Sequence, residues 1–215
     1  MKVSLNDLQN LTRQLYLKLE YPEGQTETIL SVLSYAHCRG NFQSLIQEVA
    51  VGTPRFNAQR EITVEKETSL SSLIDAGGNI GICALHLAVD LLVSKARTSG
   101  FAIVGIYNGS PPGTGPVGYY AERISREDFI GMVFCGSSKM VAPSGSSERA
   151  FGSNPIAIGI PTGGELLGPF LAGSLRVPAR EAAGGILCKA SRVILRPASI
   201  RAVIVGIAFR SSPGS

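Results

Sequence analysis

Residues 118–161, GYYAERISREDFIGMVFCGSSKMVAPSGSSERAFGSNPIAIGIP, decide the fold class of this chain. Tyr119 to about Arg126 reads as a short helix closed by Asp128. Ile130 to Cys135 follows as an apolar run of strand length, expected to be buried on both faces. A loop rich in glycine and serine then leads through Phe151, Gly152, Ser153, Asn154 and Pro155 into a second buried strand.

Working upstream, Phe101–Tyr107 reads as another buried strand. Gly81 to about Ser99 predicts a helix with Leu85, Val89, Leu92 and Ala96 inward, and Gly100 suits the position just past its end. Ile74–Asn79 reads as a turn, and Glu61–Glu67 alternates as a half-exposed strand. Ser4 with Asp7 resembles a capping box, and Leu8, Leu11, Leu15 and Leu19 follow at helical spacing, predicting a helix over 5–20. Pro22 and Gly24 break it. A second helix then carries Ile29, Val32, Leu33 and Ala36 on one face and runs to about Cys38.

At 215 residues, 44% hydrophobic and 17% charged, the composition is that of a globular chain and not of a disordered tail. There is no apolar run of about 18 residues to cross a membrane, and the first residues turn polar too early for a signal peptide. A cytoplasmic protein is the expectation. Four cysteines, Cys38, Cys83, Cys135 and Cys188, are widely spaced, which suggests reduced thiols and no zinc site. The formal charge of +4 is uneven: residues 1–165 carry 13 Lys and Arg against 15 Asp and Glu, and residues 166–215 carry seven against Glu181 alone. Without interleaved aromatic residues that basic end makes nucleic acid an unlikely partner.

Two apparent nucleotide motifs fail on chemistry. Gly77-Gly78-Asn79-Ile80-Gly81 lacks the spacing of a dinucleotide fingerprint, which argues against a Rossmann domain. The loop 108–115, NGSPPGTG, ends in Pro116 and Val117 where a phosphate-binding loop needs lysine and a hydroxyl. The chain holds two histidines. His86 has no metal-type partner a helical turn away. His37 falls on the last turn of a helix, where it either satisfies the helix dipole or serves chemistry.

In its pattern of G-Y-Y-A, then Val141-Ala142-Pro143, then F-G-S-N-P-x-A-I-x-x-P, the chain resembles the type-2 malate/L-lactate dehydrogenase family. The resemblance implies a non-Rossmann α/β fold with a mixed sheet. It also implies a homodimer and hydride transfer between NAD or NADP and a small 2-oxo, 2-hydroxy or cyclic imino acid. Against the family pattern R-G-x-x-S-H-G-x-x-R, Arg39 and Gly40 match, while Gln43, Ser44, Leu45 and Glu48 replace the serine, histidine, glycine and second arginine. Arg39, Gln43 and Ser44 are thereby implied at the substrate, with Glu48 expected to repel a carboxylate. Family members carry N-S-x-H-[FY]-G in the loop where this chain has Asn108, Ser110 and Thr114, with Gly113 in the histidine's place. Ser137, Gly152, Ser153, Asn154 and Pro155 are implied at the cofactor. The departures keep a second reading open, that of a catalytically impaired relative that binds or dimerises.

Beyond Thr162 the resemblance is expected to stop, and a truncated or altered end is the expectation. The organisation read from sequence is a helical substrate-side region over 1–75, a cofactor-side α/β region over 76–165 and a divergent basic tail over 166–215. In that tail Val203–Ile207 has the composition of a strand.

Overall fold

The computed structural model describes residues 3–41, 44–110, 113–136, 141–150, 152, 154–161, 173–174 and 201–207. Five helices are described: α1 (Leu5–Lys18), α2 (Glu23–Cys38), α3 (Leu45–Val51), α4 (Gly81–Ser99) and α5 (Val117–Ser125). The strands are β1 (Thr63–Glu67), β2 (Ser71–Asp75), β3 (Phe101–Tyr107), β4 (Phe129–Cys135), β5 (Pro155–Gly159), β6 (Gly173–Ser174) and β7 (Arg201–Ile207).

They form one sheet in the order β1-β2-β3-β7-β4-β5-β6. β2, β3, β7 and β4 run parallel, and β1, β5 and β6 add antiparallel edges. β7 holds the middle, with Ile103 and Met132 opposite Ile204 on its two sides. The expected strand in the basic tail is therefore found, inserted between two consecutive strands that come much earlier in the chain.

α4 and α5 pack on one face of the sheet, α2 lies against both, and α1 and α3 pack on α2 and on each other. α4 buries Leu85, Val89, Leu92 and Ala96 as its spacing predicts, and Gly100 closes it in the left-handed conformation, its N–H donating to the Ala96 carbonyl. α2 buries Ile29, Val32, Leu33 and Ala36.

Some expectations need correction. α1 begins with the predicted cap, the Asp7 N–H donating to Ser4 Oγ at 3.1 Å, and Leu8 and Leu19 pack on the core, but Leu11 does not. Leu11 is 50% exposed, while Thr12 and Tyr16 are fully buried. Polar partners accompany the burial of those two. Thr12 Oγ1 donates to the Leu8 carbonyl, and the Tyr16 hydroxyl donates to Glu48 on α3 at 2.9 Å. Helix α3 and strand β2 had no strong periodic signal. β4 alternates between a buried face toward α5 and a half-buried opposite face, so it is not enclosed on both sides.

Glu48 thus faces the core, and its carboxylate also accepts from Thr53 Oγ1. It does not stand toward a substrate as expected. Burial and the nearby Glu48 charge push the Tyr16 hydroxyl far above its ordinary titration range, so it acts only as a donor. Tyr16→Phe should lower stability by about 2 kcal/mol, because it strips one of two partners from a buried carboxylate. A urea melt checks this; an unchanged midpoint would mean that the hydrogen bond contributes nothing.

Candidate active site at the carboxyl edge of the sheet

Because β2, β3 and β4 are parallel, their carboxyl ends open on one side, with Asp75 opposite Tyr107 and Cys135 opposite Ile207. β5 runs the other way and pairs Ile156 with Phe134, which brings Gly152, Asn154 and Pro155 back to that same edge. The turn 76–80, residues 108–110 and 113–116, and Cys135 therefore meet there. Open α/β sheets bind ligands at this end, because the loops leaving adjacent strands diverge and leave a crevice.

Buried Asp75 organises the edge. It accepts from the Gly77 N–H at 2.8 Å, from Asn108 Nδ2 at 2.9 Å and from an Arg60 guanidinium nitrogen at 2.8 Å. The Gly77 amide, aided by Asn108 and Arg60, holds the carboxyl below its usual range. Asn79, buried beside it, donates to the Arg60 and Ala76 carbonyls and accepts from Gln25 Nε2. Gly77 (φ 61°) is required by contact as well as by conformation, since a Cβ there would lie 2.5 Å from the Arg60 carbonyl oxygen. Arg60 and Asn79 are edge residues that sequence reading passed over. A lone arginine in a polar segment carries no spacing signal.

The predicted loop residues have definite places. Asn108 gives its amide to Asp75, the Ser110 N–H donates to the Asn79 carbonyl, and Ser110 bridges to Ile80. Thr114 is buried, its hydroxyl donating to the Gly115 carbonyl and lying 3.6 Å from Cys135 Sγ, while its carbonyl accepts from Tyr120. The Gly113 carbonyl takes the Ile82 N–H at 3.1 Å. The first turn of α4 therefore spends a donor on the protein, which removes the phosphate cradle that a Rossmann helix offers. Pro155 opens β5, Gly152 is half-buried and Asn154 is exposed with φ 39°. Ser137, Ser153 and Gln43 lie outside the described residues.

The predicted substrate residues stand a little apart. Val32 lies against Gly115, and Arg39 is seven residues farther along, about 10 Å at helical rise. One Arg39 nitrogen reaches Glu122 on α5 at 3.1 Å, and its guanidinium lies 3.5 Å above the centre of the Tyr35 ring. Buried Glu122 also accepts from the Tyr35 hydroxyl at 2.7 Å and from Arg126 at 2.5 Å. Ser44 is 1% exposed, its Oγ 3.4 Å from His37 Nδ1. His86 belongs to the seam between α4 and α5, stacked on Tyr119 and 3.8 Å from Asp90. Burial and Arg123 push its pKa down.

Of the cysteines, Cys38 is exposed, while Cys83 and Cys135 are buried and unpaired. Burial pushes the Cys83 thiol up to about 12. Among the described residues no group of three or more His, Cys, Asp or Glu could hold a metal ion, and no helix is long and apolar enough to cross a membrane.

Comparison with known proteins points one way. The family model described as malate/L-lactate dehydrogenase matches residues 3–171, past the expected limit at Thr162. The L-sulfolactate dehydrogenase of Methanothermobacter thermautotrophicus is 29% identical over 169 residues, covering 75% of this chain and 48% of that protein. The NAD(+)-dependent ureidoglycolate dehydrogenase of Escherichia coli K12 is 27% identical, covering 77% and 48%. The solved malate dehydrogenase of Pyrococcus horikoshii superposes with a TM-score of 0.65 at 28% identity, covering 77% and 48%. The chain spans about half the length of the curated relatives it matches.

Proposed function

Since this chain belongs to the malate/L-lactate dehydrogenase family, we propose that it serves an oxidoreductase acting between NAD or NADP and a small 2-oxo, 2-hydroxy or cyclic imino acid. The observation that carries this reading is the convergence of the turn 76–80, residues 108–110 and 113–116, and residues 152, 154 and 155 on the carboxyl edge. The donors there suit an anionic, amide-bearing ligand. Arg60, its side chain 66% exposed and held by Asp75, offers a guanidinium to phosphate, and Ser110, Gly152 and Asn154 offer hydroxyl, close backbone approach and amide. A bound dihydronicotinamide supplies the substrate's C2 with hydrogen and its electron pair. The chain's own part is to orient both ligands, hold the carboxylate and move a proton at the C2 oxygen.

In this reading 1–75 form the substrate side and 76–165 the cofactor side, in a cytoplasmic homodimer. The alternative of a binding or dimerising relative draws support from the commitment of Arg39 to Glu122 and the burial of Ser44.

Titrating the purified chain with NADH and NADPH, followed by dihydronicotinamide fluorescence, tests the assignment. Saturable binding of one of them is expected, then oxidation of the nucleotide on addition of a 2-oxo or cyclic imino acid. Binding of neither sinks the enzyme reading and leaves the alternative.

A further inference from the structure

We propose that the sheet face left open by α4 and α5 is a docking surface for residues 175–200 of the same chain. The inference does not depend on the oxidoreductase reading above.

Side chains alternate along a strand, so burial separates the two faces of the sheet. Ile74 on β2, Val104 on β3, Val133 on β4 and Ala157 on β5 are fully buried on the side of α4 and α5. Ile124 and Ala121 of α5 sit on Gly131 and Gly159 from that side. On the other side Leu73, Met132, Phe134, Ile156 and Ile158 are half-buried, and Ile103 is 41% exposed. Strand register puts Leu73 beside Gly105, and Ile156 and Ile158 beside Phe134 and Met132, so these side chains form one apolar surface. Among the described residues no helix besides α4 and α5 packs on the strands. Sheets with parallel strands at their centre bury both faces, because each crossover lays a layer on one of them.

Chain direction selects the occupant. β6 is antiparallel to β5 and β5 to β4, so β6 runs parallel to β4 and β7. Residues 175–200 therefore join two parallel strands, from Ser174 at the end of β6 to Arg201 at the start of β7. Such connections are right-handed in about 98% of cases, because strand twist lets the chain fold back onto the sheet only that way. α4 joins β2 to β3 and α5 joins β3 to β4, and both steps go from the β1 side toward the β6 side over the same face. The step from β6 to β7 goes back in the opposite sense. A right-handed connection made in that sense crosses the opposite face, which is the open one. The helix face along this path is already occupied, by α5 on β5 and β4 and by α4 on β7.

Length and composition fit the same path. The 26 residues at 175–200 are about twice the dozen that a parallel crossover needs. Ile186, Leu187, Val193, Ile194 and Leu195 supply apolar side chains for the surface, while Arg180, Lys189, Arg192 and Arg196 supply charges that belong in water.

Cys188 lies within the segment and serves as the probe. In full-length protein carrying Cys38→Ser, which removes the exposed thiol, Ile103→Cys and Met132→Cys each put a thiol on the open face. Ser94→Cys puts one on the exposed side of α4 as a control. A bis-maleimide should link Cys188 to at least one open-face thiol within one chain, located by peptide mass spectrometry, and should not link it to the α4 thiol. Replacing 175–200 by a glycine-serine linker of equal length should raise the alkylation rate of the Ile103→Cys thiol by about tenfold or more, since its cover is gone. A link from Cys188 to Ser94→Cys alone, no link from either open-face thiol, or links only between two chains would each overturn the proposal. The last of these would assign the face to a second copy of the chain.

Discussion

Gly159→Val is expected to prevent stable folding, and Gly159→Ala to cost about 3 kcal/mol or more, since both force a side chain into main-chain atoms. A Cβ on Gly159 would lie 2.2 Å from the Ala121 carbonyl oxygen and 2.7 Å from its carbon. Neither atom can swing away, because Ala121 is in the middle of α5. Gly131 is the register partner of Gly159 on β4, and a Cβ there would lie 2.7 Å from Ile124 Cβ. This pair of facing glycines sets how closely α5 lies on the sheet. Gly24→Ala is the control, since nothing stands within 4 Å of its Cβ position. It should be neutral or stabilising by about 0.5 kcal/mol through a stiffer unfolded chain. Thermal melts that placed Gly159→Ala beside wild type would show that α5 is not seated in this way.

Asp75→Ala should be nearly as damaging, at about 3 kcal/mol, because it removes a buried acceptor serving three segments. The Gly77 amide, Asn108 and Arg60 would lose their common partner, and the turn, the loop and the segment before β1 would come apart at the carboxyl edge. Nucleotide binding should weaken with them.

The pH dependence has a definite sign. The folded carboxyl titrates below its unfolded counterpart, so its contribution is fully present above the unfolded pKa, about 4, and is lost as pH falls through the folded value. Urea midpoints measured from pH 6 down to pH 2 should fall more steeply in the acid range for wild type than for Asp75→Asn. Parallel curves for the two would sink the idea that Asp75 contributes through its charge.

Legibility differed by element for physical reasons. α2 and α4 were readable because their apolar residues repeat with the period of a helix and face one core, and β3 because it is an unbroken apolar run of strand length. The burial of Tyr16 on α1 was not, because the carboxylate that its hydroxyl reaches, Glu48, lies on α3. β2, Ser71–Asp75, begins with two serines and becomes a strand by pairing with β3, so its cause is non-local. Glu48 shows the same limit at the site. From sequence it is a charge beside a candidate substrate residue, whereas in the fold it faces the core between Tyr16 and Thr53.

The sequence by itself determined the α/β class, most helix boundaries, the family and the failure of the Rossmann and phosphate-loop motifs. Those follow from local period, turn chemistry and residue type, which neighbours along the chain already express. Only the tertiary structure decided that residues 108–110, 113–116, 152, 154 and 155 share one edge, that Asp75 gathers that edge, and that the Ser44 hydroxyl faces His37 from within the core. Each of these depends on strand direction and on contacts between residues distant in sequence, and local preference carries no record of which distant partner satisfies a buried polar group.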